Sequence, residues 1–186
     1  MSKTLWISVG VAIIGLGALI AVNQFTKSKT PLIGDFHTSQ GEQHIARGAA
    51  HEAYNSNPPS SGPHYSDSGA PTPWGVYSQE VQAEAFLHNE EHGGIVITYQ
   101  PNLLSTDQLK KLGALFLPPY SNKNFSPVRA IVTPRAKNTH MIELASWTYT
   151  LSLDSYEEAT IIKFYNQHAG HAPEPLAGPN NTPINM

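Results

Sequence analysis

Two spacings of apolar residues divide the chain. Leu5 to Val22 is an unbroken run of apolar and small residues with no charge and Ser8 as its one hydroxyl. At a rise of about 1.5 Å per residue it makes roughly 27 Å of helix, enough to cross a bilayer core. The run exceeds the h-region of a signal peptide and no A-x-A site follows, so it predicts a retained anchor with Trp6 at the interface. Lys3 lies ahead of it and Lys27 and Lys29 behind, so charge does not orient it.

Beyond the anchor the runs are shorter. Ile95 to Tyr99 is β-branched and ends at Pro101, which predicts a strand, and the run from Ser78 to His92 before it predicts a helix. Leu109, Leu112, Leu115 and Phe116 predict a helix over Ser105–Leu117, with Ser105 or Thr106 as N-cap and Pro118–Pro119 as stop. Val128–Thr133 predicts a second strand, and His140–Ala145 a third that continues through Trp147, Tyr149 and Leu151. A last helix, capped by Asp154 or Ser155, presents Ala159, Ile161, Ile162 and Tyr165. This order predicts an α+β domain with a small mixed sheet, its first two strands parallel and the third antiparallel. The expected organisation is an anchor over residues 1–29, a tether over 30–43, a globular domain over 44–171 and a disordered tail over 172–186. Residues 42–54 read equally as a short helix or an irregular segment.

Charge and composition narrow the chemistry. All fourteen acids lie beyond residue 30, whereas three of the eleven Lys and Arg lie at or before Lys29, so the domain is more acidic than the net charge of −3. That balance argues against a nucleic-acid partner. With no cysteine and nine histidines, disulfides and thiolate sites are excluded, and a metal site must be built from His, carboxylate or Met. His37, His44 and His51 fall seven apart, but Gly41 and Gly48 interrupt any helical stripe, so chance accounts for the spacing.

Two stretches carry candidate chemistry. In Asn55–Tyr65, three prolines and a glycine forbid helix and central strand; such a stiff loop loses little entropy on ordering and can fix His64 and Tyr65. In His88-Asn89-Glu90-Glu91-His92-Gly93-Gly94, residues four apart share a helix face, so both imidazoles point the same way and can hold a transition metal. The string also reads as H-x-x-E-H, in which two His bind zinc and Glu91 acts as general base, with Glu143 or Glu157 as guesses for a third ligand. A plainer reading has histidine favoured at a helix C-terminus and Gly93 as the C-cap.

HEAYNSNPPSSGPHY, GVY, HNEEHGGIVITYQP, AIVTP, IELASW and the closing APEP, taken together, resemble a family of bacterial membrane-anchored proteins catalogued as a domain of unknown function, number 3105. The resemblance runs from about His44 to Pro175, and the family's polar motif positions fall on His51, Tyr54, Ser61, His64, His88, Glu91 and His92. Glu90 stands where an apolar residue is expected. The family implies no activity.

Three readings follow. The first is a membrane-tethered extracytoplasmic protein holding copper or zinc on His51, His64, His88, His92 and Glu91, anchored in the lipid bilayer through Leu5–Val22 as a single-pass cell-membrane protein. In the second, an accessory subunit packs on a membrane-protein partner through Gly10, Gly15, Gly17 and Ala21, and its histidines only lock the two motifs together. The third is a metal-dependent hydrolase. A Ser60 or Ser61 nucleophile with His64 lacks a nucleophile elbow and an ordered acid.

Overall fold

The computed structural model describes residues 31–116 and 129–175. The anchor expected at Leu5–Val22, the segment 117–128 and the tail from 176 lie outside those residues. Among the described residues no helix is long and apolar enough to cross a membrane.

The strands in chain order are β1 (Asp35–Phe36), β2 (His44–Ile45), β3 (His64–Tyr65), β4 (Gly75–Val76), β5 (Ile95–Tyr99), β6 (Ala130–Pro134), β7 (Ile142–Ser146) and β8 (Tyr149–Leu153). The helices among the described residues are α1 (Ala83–Glu91), α2 (Thr106–Phe116) and α3 (Glu158–His168). Six strands make a mixed sheet in the order β1-β8-β7-β5-β6-β4, and β2 and β3 form a separate pair. As the pattern predicts, β5 runs parallel to β6 and antiparallel to β7.

Alternation along the strands sends successive side chains to opposite faces. Ile95, Ile97, Val132, Ile142 and Leu144 meet Leu112, Phe116, Phe164 and Tyr165 of α2 and α3. Val96, Ile131 and Ala145 meet Phe86 and Leu87 of α1 on the other face. The sheet is therefore covered on both sides, which is why β5 and β7 are buried at all five positions.

Four boundaries differ from the sequence reading, each for a local reason. The first helix starts at Ala83 rather than Ser78 because the preceding residues are tied to β6: Val81 N–H donates to Thr133 Oγ1 at 2.9 Å, and that hydroxyl donates to Gln79 O at 3.1 Å. The third strand does not continue through Trp147. Thr148 adopts φ 63° and reverses the chain into the hairpin β7–β8, held by Thr148 N–H on Ser60 O at 2.7 Å. The last helix begins at Glu158, with Asp154 instead accepting from His140 Nδ1 at 2.7 Å. Residues 35–36 of the expected tether add an edge strand to β8. The expected α2 cap is present as a reciprocal capping box: Gln108 N–H donates to Ser105 Oγ at 3.2 Å and Ser105 N–H to Gln108 Oε1 at 2.9 Å.

Candidate metal centre

Helix α1 is fixed on two sides before its polar face is considered. Phe86 and Leu87 bury on the sheet, and Asn89 brackets Thr72, accepting from its N–H at 2.8 Å and donating to its carbonyl at 2.7 Å. The helix ends where Gly93 turns to φ +82°, with Gly93 N–H on Glu90 O and Gly94 N–H on Asn89 O. Both glycines are sterically required: a Cβ on Gly93 would lie 2.7 Å from Gly170 Cα, and one on Gly94 would lie 2.5 Å from the Trp74 ring. Gly94→Ala is expected to cost about 1 to 3 kcal/mol by overpacking, read as a lower urea midpoint at unchanged slope.

The remaining face of α1 carries His88 and Glu91, with His92 at its C-cap. Opposite it, the proline-rich loop is locked in place by Tyr54 OH on Pro63 O at 2.6 Å, Gln40 N–H on Ser61 Oγ at 3.0 Å and Gly62 N–H on Gly41 O at 3.0 Å. The loop delivers His64, which is fully buried, and β2 pairs in parallel with β3 so that His44 stands directly opposite His64. The His44 ring stacks on that of His88 with centroids 5.2 Å apart, and its side chain remains 47% exposed.

Proton accounting decides what this cluster can do. The Nδ1 atoms of His64, His88 and His92 face the carbonyl oxygens of Gly62 at 2.9 Å, Tyr65 at 2.7 Å and Glu174 at 2.8 Å. A carbonyl only accepts, so each Nδ1 carries a hydrogen and each ring turns its Nε2 inward. The inward nitrogens gather around one carboxylate. Glu91 Oε2 lies 3.1 Å from His64 Nε2, 3.4 Å from His44 Nε2 and 3.9 Å from His88 Nε2, and His88 Nε2 lies 3.1 Å from His92 Nε2. Burial holds the His88 imidazole below its ordinary pKa, and the neighbouring His64 and His92 rings add to that, against the Tyr65 carbonyl and Glu91. The cluster thus gathers imidazole nitrogens around one buried carboxylate, a set of donor types that a metal ion can use.

The residues fit a metal by distance as well as by type. Ligand atoms of His44, His64, His88 and Glu91 all lie within 4.8 Å of one another, so this set could hold a metal ion. A tetrahedral ion with bonds of about 2.0 to 2.1 Å has ligand–ligand edges of roughly 3.3 Å, within the spread observed. Backbone carbonyls on the Nδ1 side orient ligating imidazoles in the way metal centres use.

The sequence-derived candidates separate. His64, His88 and Glu91 come together, whereas His92 belongs to an adjoining set with Glu91 and Glu174. His51 stands outside both, with Nδ1 on Glu52 O at 2.7 Å and Nε2 3.3 Å from Glu84 Oε1. The two guesses for a third ligand have other partners. Glu143 accepts from Thr139 and His140, and Glu157 from Ser155 and Thr160. His44 was missed, because only the pairing of β2 with β3 reveals it. Glu174 sits in a stretch expected as tail, yet its N–H donates to Glu91 O at 3.1 Å.

A family model described as a protein of unknown function (DUF3105) matches residues 46–181, which include His64, His88, Glu91, His92 and Glu174 but not His44. No curated protein matches the chain, and no solved structure does.

Proposed function

The chain belongs to the DUF3105 family, whose description names no activity, and from its own residues we propose that the domain is a metal-binding module. It holds a Zn(II) or Cu(II) ion on His44, His64, His88 and Glu91. What carries this reading is the convergence of imidazole Nε2 atoms on a buried carboxylate, with Nδ1 of His64 and His88 already spent on backbone carbonyls. A purely structural lock would need one imidazole on Glu91, whereas three imidazole nitrogens lie within 3.9 Å of the same carboxylate oxygen. The nitrogen-and-oxygen donor set lacks the thiolates that would select Cu(I), and suits the two divalent ions.

The site also bears on the hydrolase reading. Glu91 Oε2 lies among the imidazole nitrogens, where it serves as a ligand, and it is not left over as a general base. Binding for storage or delivery accounts for the arrangement with fewer groups. The apolar run Leu5–Val22 supports tethering of the domain to a membrane.

Elemental analysis of the tag-free full chain after loading with Zn(II) or Cu(II) and extensive dialysis tests the reading. At least one tightly held ion per chain is expected. A chain that keeps neither ion would overturn it.

A further inference from the structure

Resting on that reading, we propose that a second cation binds beside the first, on His92 and Glu174, with the Glu91 carboxylate bridging the two ions. Ligand atoms of Glu91, His92 and Glu174 lie within 4.8 Å of one another, and this set shares only Glu91 with the buried four. A carboxylate has two oxygens and can give one to each ion, the arrangement that holds paired ions about 3.5 to 4 Å apart.

His92 is built as a ligand. Its Nδ1–H is spent on Glu174 O at 2.8 Å, so its Nε2 points inward and lies 3.1 Å from that of His88. An ion already held by four ligands has a complete tetrahedral shell and does not need His92. Glu174 is likewise placed and not stray, since its N–H donates to Glu91 O and Gly170 N–H donates to Gly93 O at 2.8 Å. With Glu174 exposed and His92 half-buried, the second ion keeps open positions for water or another exchangeable oxygen donor, and it is held more weakly than the first.

Titrating the tag-free full chain with Cu(II), with bound metal counted by elemental analysis and unpaired spins by electron paramagnetic resonance, tests this directly. Wild type should bind two ions, the first giving its full spin and the second lowering the integrated signal, because bridged Cu(II) ions couple. His92→Ala with Glu174→Gln should bind one ion with its full, uncoupled spin. Saturation of wild type at one ion overturns the second site and leaves the first intact. A second ion that adds its full spin, or that survives both substitutions, also overturns it. A chain that binds no copper overturns the second site, and the first falls with it if Zn(II) is not retained either.

Discussion

Replacing His64 and His88 together with alanine is expected to lower the affinity for the tightly held ion by at least about 100-fold. Loss of an outer-shell partner alone typically costs 10- to 100-fold, and here two direct ligands go. Because His64 is fully buried, its removal also leaves a cavity, so the double variant must be compared with wild type as metal-free protein. His44→Ala is the cleaner companion. Its side chain is about half exposed, so stability should change by no more than roughly 0.5 kcal/mol while affinity still falls. If both variants bind as tightly as wild type by competition with a chelator, the ligand assignment is wrong.

The same ion should stabilise the fold. At about 100 times Kd, binding adds roughly 2.7 kcal/mol, which for a domain of this size raises Tm by about 5 to 10 °C. The pH dependence has a definite sign. His88 is held below its ordinary value of 6.5, so it stays neutral near pH 7; its contribution to stability is present above that value and is lost as pH falls through the folded one. Protons compete for the same nitrogens, so affinity should also fall on acidification. Calorimetric titration at pH 7.5 and pH 5.5 checks it; equal affinity at the two would contradict imidazole ligation.

Glu90→Met is expected to raise stability at neutral pH by about 1 to 3 kcal/mol, the usual cost of a buried polar group without partners. Glu90 is fully buried, and neither of its carboxylate oxygens has a hydrogen-bond partner. Burial pushes its pKa well above the ordinary 4.5, a shift opposed by the Arg135 charge. Phe86 and Leu87 on the same helix offset the cost, at roughly 1.5 to 3 kcal/mol each. Between about pH 4.5 and the raised folded value, the folded chain therefore holds a proton that the unfolded chain releases. The penalty is absent below about pH 4.5 and grows as pH rises toward the folded value. Glu90→Gln should flatten that slope and Glu90→Met should raise the midpoint of urea unfolding. A midpoint that falls in Glu90→Met would mean that the carboxylate has a stabilising partner.

What the sequence made legible was the part governed by local rules. The apolar runs of β5 and β6, the leucine spacing of α2 and the proline stops all act within a few residues, so the parallel and antiparallel order could be read from them. The Trp147–Thr148 reversal was not legible because it uses a threonine at positive φ, where glycine or asparagine is the usual signal. The site divides along the same line. His88 and Glu91 share a helix face and His64 ends a stiff loop, so spacing found them. His44 lies 20 positions before His64 in an unpatterned stretch, and only strand pairing brings it in. His51, in the same motif as the loop, is turned to Glu84 by contacts that spacing cannot encode. Glu90 stood out as an acid in an apolar position, but its full burial needed the sheet.

The pair β2–β3 is two residues long, yet it sets His44 opposite His64 and Ile45 opposite Tyr65. In an extended pair a slip of one position turns every side chain to the other face. A slipped chain would offer the ion Gln43 or Ile45 where an imidazole belongs, while the six-stranded sheet and its cores stayed as they are. On the proposed ligand set, metal affinity is thus a gauge of alignment in a segment too short to register in circular dichroism. Any insertion between Gly41 and His44 should be judged by what it does to the ion before what it does to the fold.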